Sequence, residues 1–287
     1  MTTPAITAPG RLAVTGAAGA IGRRVVGLLA GGDVPVTALV RDAARAHPAA
    51  HAVVVDYADP SSLDSALRGV ATLVFIGSDG RADRVLAHHR NLLASARTAG
   101  VRRIVLLSSQ DADPDSPFCY APVYADTERE LRDSCAEPVI LRAGLYAEFF
   151  GRWVWEAARS GELALPSSAS VAPVGRSDVA LALAVAAVGS APPLATITGS
   201  EAFDLPALAD LASRLGGRDV TARSVTADEF RHHLIDSDTD PWWSYAFTSM
   251  FESIAQGRFA GATSDFTALT GRTPEPFEDV LRGESRQ

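Results

Sequence analysis

The chain has no lysine, so all 26 of its Lys+Arg positions are arginine. That absence excludes a Schiff-base lysine, a phosphate loop ending in G-K-[ST] and a Tyr-x-x-x-Lys acid–base dyad. Cysteine is nearly absent too. Cys119 and Cys135 stand alone, without C-x-x-C or zinc-ligand spacing, which predicts reduced thiols in a cytosolic protein. No stretch of five basic residues occurs and the net charge is −8, which argues against a nucleic-acid partner. The longest apolar run, Val179 to Val188, is ten residues, well short of the roughly 18 that a membrane helix needs. The first ten residues, MTTPAITAPG, carry neither a basic nor an apolar leader segment. The expectation is a cytoplasmic protein with no membrane partner. Neither G-x-S-x-G nor H-E-x-x-H occurs, which counts against a hydrolase or a zinc enzyme. The adjacent pairs His88-His89 and His232-His233 diverge on a helix and make poor metal sites, so no metal is expected. They read as solvated faces, with His232 or His233 able to reach a substrate from a lid.

What remains is ample for a core: 287 residues, 47% of them hydrophobic. In the first half, short β-branched runs alternate with helical patterns, the signature of a parallel sheet with crossover helices. Strands are predicted at Leu12–Thr15, Val36–Val40, Ala52–Val55, Thr72–Ile76, Arg103–Leu107 and Val139–Leu141, with helices at Ile21–Ala30, Ser61–Leu67, Ala82–Ala99 and Tyr124–Ser134. Right-handed crossovers make this an α/β, doubly wound Rossmann sheet. Beyond residue 150 the pattern loosens. There we expect a helix over Val179–Val188, a strand at Ala195–Thr198, a helix capped by Asp204 and ended by Gly216-Gly217, and a capping box at Thr226–Glu229. The division expected is a Rossmann domain over 1–150 and a smaller α/β substrate lobe over 151–287, with a lid near 231–256 whose helical pattern is weak.

Val14-Thr15-Gly16-Ala17-Ala18-Gly19-Ala20-Ile21-Gly22 closes a strand and opens a helix. In that context Gly16 permits a tight turn, Gly19 lets backbone approach a pyrophosphate, and Gly22 lets helix and strand pack closely. Exposed N–H groups and the helix dipole then favour phosphates. Thr15, Gly16, Ala18, Gly19, Ala20, Ile21 and Gly22 are accordingly the candidate cofactor loop. Arg41 follows the second strand, where an NAD-preferring fold places an acid for the ribose 2′-hydroxyl. A guanidinium there suits a 2′-phosphate and points to NADP(H). The competing reading gives the acid role to Asp42. Arg23 and Arg24 could supplement the phosphate site. Asp56-Tyr57 would lie at the adenine edge and Gly77-Ser78 beside ribose.

All four tryptophans, Trp153, Trp155, Trp242 and Trp243, fall in the second half, with Phe149, Phe150, Phe247 and Phe251 nearby. Adjacent residues on a helix or strand point apart, so at most one of Trp242 and Trp243 readily faces a common core. The other is placed to line a pocket or lid over a flat aromatic substrate. Cys119 reads as a packing residue.

These motifs, with RRIVLLSS, ADTERELRDS, VILRAGLY, GRSDVALAL and GRTPEPF, resemble the NmrA-like atypical short-chain dehydrogenase/reductases, including the bacterial NAD(P)H:quinone oxidoreductases. The resemblance covers essentially the whole chain and is weakest near 231–256. It implies nicotinamide contacts from Ala143, Gly144 and Leu145. In the family's catalytic form a Ser, a Tyr and a Lys cooperate. Glu128 sets the register that puts Tyr124 at the lysine position, Tyr120 at the tyrosine position, and Ser108 or Ser109 at the serine position. Without an ammonium, nothing in the sequence lowers a phenol from its ordinary pKa near 10. Tyr120 therefore reads either as the proton donor or as a structural tyrosine, while Tyr124 can still hold a ribose hydroxyl. The resemblance implies an NADPH-dependent ketoreductase of an aromatic polyketide-type ketone or quinone, using substrate-assisted protonation. A general quinone oxidoreductase and a non-catalytic NADP-binding redox sensor are its alternatives.

Overall fold

A computed structural model describes residues 10–32, 35–134 and 137–284; Cys135 lies outside the described residues. A seven-stranded sheet is built from β1 (Arg11–Val14), β2 (Val36–Val40), β3 (His51–Val54), β4 (Val70–Phe75), β5 (Arg103–Ser109), β6 (Glu137–Ala143) and β8 (Leu194–Ile197). Its order is β3-β2-β1-β4-β5-β6-β8, and the pairings from β3 through β5 are parallel. β2 is buried at every position, Thr37 included, so it shows no alternation of buried and exposed residues. The winding leaves β1 toward β2 and β3, then returns to β4 on the other side. That is the Rossmann order, and β1 and β4 flank its switch point.

The helices follow their sequence signals. In α1 (Ala20–Leu29) the buried residues Ile21, Gly22, Val25, Val26 and Leu29 recur at helical spacing. α2 (Pro60–Leu67) starts from Asp59, whose carboxylate accepts the Ser61 N–H. α3 (Ala82–Thr98), α4 (Ala121–Ser134), α5 (Ala147–Ser160) and α6 (Arg176–Val188) succeed it. α7 (Leu205–Gly216) is capped by Asp204 and stopped by Gly217 at φ +65°, a left-handed conformation that glycine adopts without strain. α8 (Ala227–Asp236) opens on the complete Thr226/Glu229 capping box. A second sheet pairs β7 (Glu162–Leu165) with β9 (Thr221–Ser224) in parallel.

Two compact units divide the chain: residues 1–107, 127–141 and 180–194, and residues 108–126, 142–179 and 195–287. The first has its core in strand residues such as Leu39, Leu73, Phe75 and Leu106, under Leu63, Leu67, Leu92 and Leu131 from helices. The second is centred on Phe150, Trp153, Leu208, Phe230, Phe251 and Leu281. There a Cβ on Gly151 would stand 2.1 Å from Leu281 Cδ2, so glycine lets α5 and the last helix, Phe277–Glu284, meet.

Two expectations need correction. The segment 231–256 is strongly helical, in α8 and in α9 (Pro241–Ala255). Its periodicity was hard to see because α9 buries Ser244, Thr248, Ser249 and Ser253 beside Ala246, Met250, Phe251 and Ile254. Thr248 and Ser249 donate to the carbonyls of Ser244 and Ala246, so small hydroxyls share the buried face with the apolar residues. The His88-His89 pair is not a solvated face. His89 is buried, its Nδ1 lies 2.8 Å from Thr127 Oγ1, and its ring meets Phe75 edge to face. His232 and His233 are exposed as expected.

Burial, with a smaller push from His88, lowers the His89 pKa to about 4 from the ordinary 6.5. The folded state therefore holds this imidazole neutral, while the unfolded chain protonates it below 6.5. Stability is full above that pH and falls as pH drops toward 4, by about 3 kcal/mol over the window. Thermal melts between pH 7 and 4 should show this slope, and His89→Gln should flatten it.

Candidate cofactor and active sites

In the first unit, β1 ends in Thr15, which is fully buried. Its hydroxyl donates to the Ile76 carbonyl at 2.9 Å and accepts the Ile76 N–H at 2.8 Å, while its own N–H reaches Val74 O at 3.0 Å. The carboxyl ends of β1 and β4 are thereby stitched together at the switch point. Gly16 then turns at φ +58°, and a Cβ there would press on Ile76 at 3.1 Å. Gly19 is the extended N-cap of α1, with no side-chain cap and no acid in the first turn. Gly19 and Ala20 are exposed, Ala18 is half-buried and Ile21 is buried. A Cβ on Gly22 would fall 2.2 Å from the Gly16 carbonyl oxygen, so helix and turn close only over glycine. This uncapped, dipole-positive helix start is a fitting cradle for a dinucleotide pyrophosphate.

Arg41 is exposed, just past β2, and its charge acts on both Tyr57 and His88. Asp42 is otherwise engaged: its carboxylate accepts the Ala44 N–H at 3.0 Å and caps the 3-10 turn Ala43–Arg45. Arg23 donates to the carbonyl of Arg45 at 2.7 Å, and Arg24 turns back to Ala20 O. The Asp56 carboxylate accepts the Ala58 N–H. Tyr57 is buried and its hydroxyl accepts the Gly16 N–H at 3.1 Å, tying the end of β3 to the glycine turn. Burial raises this phenol's pKa. Gly77 makes room for His89, whose Nε2 would stand 2.5 Å from a Cβ there, and Ser78 Oγ lies 2.9 Å from His88 Nδ1. His88 tilts against Tyr57 at 5.9 Å, and burial, then Arg84, lowers its pKa. Sequence reasoning missed His88 and Asn91, whose amide holds Tyr57 O at 3.0 Å. The signal available was the adjacency of His88 and His89, which forces one outward when the other is core.

In the second unit, Ser108 is buried and Ser109 half-buried at the end of β5. The next residue, Gln110, donates its N–H to Ala143 O. The buried Asp111 carboxylate accepts from Ser116 and Ser253, each at 2.5 Å, and Arg258 reaches Asp113 at 2.6 Å. Ser249 accepts the Cys119 N–H at 3.2 Å. The loop from 111 to 119 is thus buckled to α9 and to the segment after it, and Tyr120 follows directly. Its ring meets Phe118 at 5.6 Å and Trp242 at 6.4 Å, both edge to face. Trp243 diverges and stacks on Phe247 at 5.7 Å. The two tryptophans part as their adjacency predicted, and both stay half-buried. Tyr124 N–H donates to Tyr120 O in the first turn of α4. Burial, with Tyr120 adding, pushes the Tyr124 phenol up to about 12, the opposite of what a neighbouring ammonium would do. Burial also raises the Cys119 thiol, consistent with packing rather than nucleophilic attack. Ala143 and Leu145 are buried, and Gly144 donates its N–H to Ile197 O at 2.9 Å. Tyr146 and Arg176 were also missed; the Arg176 guanidinium carbon lies 5.5 Å from the Tyr146 ring centroid.

Among the described residues no group of three or more His, Cys, Asp or Glu is placed to hold a metal. No described helix is long and apolar enough to cross a membrane.

Comparison with known proteins agrees with the cradle. The model of a family described as NAD(P)H-binding matches residues 16–186. Quinone oxidoreductase 2 of Escherichia coli is 32% identical over 229 residues, covering 76% of this chain and 79% of that protein. A (4-alkanoyl-5-oxo-2,5-dihydrofuran-3-yl)methyl phosphate reductase of Streptomyces griseus is 31% identical, covering 93% and 95%. The solved triphenylmethane reductase of Citrobacter sp., in complex with NADP(H), superposes with a TM-score of 0.85 at 25% identity, over 95% of this chain and 99% of that one.

Arg41→Ala should weaken NADPH about 10- to 100-fold, the worth of a charge-assisted contact, and change NADH less than about threefold. Fluorescence titration with both nucleotides checks this, and equal losses would remove Arg41 from the 2′-phosphate site. Gly22→Ala should abolish binding of both, because the new methyl displaces backbone that cannot yield.

Proposed function

Because the chain belongs to the NAD(P)H-binding family of NmrA-like atypical short-chain dehydrogenase/reductases, and is an oxidoreductase that uses NADP(H), we propose that it reduces a carbonyl of a flat aromatic ketone or quinone of the polyketide type. The carrying observation is the edge-to-face pair of Tyr120 and Trp242 at 6.4 Å, set directly after a loop that Asp111 fastens to α9. Half-buried aromatic rings of this kind favour a planar ring, stacked or edge to face, over an aliphatic carbonyl. The relatives support the breadth of the reading: their names give a quinone, a lactone-bearing phosphate ester and a triarylmethane dye as substrates.

On this reading residues 1–150 chiefly hold the cofactor and 151–287 chiefly shape the substrate, with 231–256 as the lid. The Gly16–Gly22 turn and Arg41 bind the phosphates, Asp56, Tyr57, Gly77 and Ser78 border the adenosine half, and Ser108 with Ala143, Gly144 and Leu145 borders the nicotinamide. When bound, NADPH supplies a hydride. The protein contributes position, which alone can be worth about 7–11 kcal/mol. The carbonyl is held near Ser109 and Tyr120, and Tyr124 holds a ribose hydroxyl.

The proton source follows from the missing lysine. A phenol at its ordinary pKa, or pushed above it as Tyr124 is, is a weak acid at neutral pH. A hydroxyl beside the substrate's own carbonyl supplies the proton instead, and a quinone needs less help because its developing charge is delocalised.

NADPH oxidation at 340 nm separates the readings. Polycyclic hydroxy-ketones should turn over with higher kcat/KM than simple quinones. Turnover of simple quinones alone would make the chain a general quinone oxidoreductase, as the Escherichia coli relative's name suggests, and tight NADPH binding without turnover would make it a redox sensor. Tyr120→Phe should lower kcat by less than about tenfold if the substrate donates the proton, whereas a loss of 100-fold or more would make Tyr120 the acid.

A further inference from the structure

We propose that the Tyr146 hydroxyl and the Arg176 guanidinium form an oxyanion-binding pair in the second unit, receiving the charge that develops on the substrate's carbonyl oxygen. This rests on the reductase reading and assigns to it a donor pair that the family's Ser-Tyr-Lys pattern does not contain.

Both groups are built into place. Gly144 and Leu145 lead from β6 to Tyr146, the N-cap of α5. The Leu145 carbonyl accepts the Val174 N–H and the Ala147 N–H donates to Val174 O, each at 2.9 Å, so the backbone on both sides of Tyr146 is pinned to one strand-like segment. Two residues past Val174, the Arg176 N–H bonds both carboxylate oxygens of Glu148, at 3.0 and 3.1 Å. Glu148 therefore holds the arginine by its backbone. The side chain is left over the Tyr146 ring, with no carboxylate within 4.0 Å of the guanidinium among the described residues.

The two polar groups share an unusual condition. Both residues are half-buried, yet neither the Tyr146 hydroxyl nor the Arg176 guanidinium has a hydrogen-bond partner among the described residues. Neither group is fully sealed from solvent. Every other tyrosine differs. Tyr57 is bound to Gly16, Tyr120 and Tyr124 have interactions of their own, and Tyr245 is exposed. Six donors on two rigidly held, adjacent side chains, with no protein acceptor, suit an anionic oxygen. Burial and the neighbouring Tyr124 and Glu148 raise the Tyr146 phenol, outweighing the lowering by Arg176. The phenol thus keeps its proton and acts by donating a hydrogen bond, not by surrendering it.

The step balances without a lysine. Hydride adds to the carbonyl carbon and the π pair moves to oxygen. There Tyr146 O–H and Arg176 hold it until the substrate's neighbouring hydroxyl delivers its proton, and water then reprotonates that hydroxyl. A guanidinium further selects substrates whose carbonyl oxygen carries partial negative charge, such as a carbonyl conjugated with a neighbouring phenol that still holds its proton.

The test uses the full chain with NADP+ and 4-hydroxycoumarin, a planar enolate, with neutral coumarin as control. Tyr146→Phe keeps the ring under Arg176 and removes one donor; it should weaken 4-hydroxycoumarin about tenfold and coumarin hardly at all. With hydroxy-ketone substrates it should lower kcat about 100-fold while KM for NADPH stays put. Arg176→Gln should do the same. Unchanged enolate affinity and kcat in Tyr146→Phe would overturn the pair. If the wild type binds 4-hydroxycoumarin through these residues but turns over no carbonyl, the reductase reading fails and the pair stands. If it neither turns over nor binds the enolate, both fall.

Discussion

The two-way hydrogen bond between the Thr15 hydroxyl and the Ile76 backbone is the constraint on which the cofactor half rests. Parallel strands end in unpaired peptide groups, and at a switch point the helices leave in opposite directions, so nothing in the ladder itself sets the spacing of the two exits. Thr15 sets it with one atom that both donates and accepts. Gly16 can then turn against Ile76, Tyr57 can reach the Gly16 N–H, and α1 starts with its amides outward. A valine here would keep the shape and lose both bonds inside a fully buried site.

The parts of the molecule legible in the sequence are those governed by local chemistry. β2 is bounded as its Val-Thr-Ala-Leu-Val run suggested, Asp204, Gly217 and the Thr226/Glu229 box sit where their cap chemistry requires, and the glycine turn has the close approaches its spacing implied. What escaped depends on distant partners. α9 hides because serines and a threonine fill its buried face, one of them serving Asp111 from 142 residues away. His89 looked like a surface histidine until Thr127 and Phe75 closed over it. Tyr146 and Arg176 are 30 residues apart in sequence, and neither belongs to a motif that marks the other.

The absence of lysine bears on the second unit in a particular way. Tyr124 stands where the family resemblance puts an ammonium, and burial and a neighbouring phenol act on it in the same upward direction. An acid tuned to neutral pH is therefore not what this arrangement provides. On the proposed reading its polar resources are hydrogen-bond donors that keep their protons and a guanidinium that never loses one, which would together stabilise charge without transferring a proton.

Asp42 carries a further consequence for how this fold can change its taste in nucleotides. Its carboxylate is committed to the Ala44 amide, and the turn it caps presents the Arg45 carbonyl to Arg23. Removing the arginine at 41 would not free an acid for a ribose hydroxyl, because the adjacent carboxylate points back into its own turn. If Arg41 holds the 2′-phosphate as proposed, a move toward the non-phosphorylated dinucleotide calls for a new acid at 41 or a rebuilt turn over 42 to 45, since the carboxylate at 42 is already engaged by its own turn.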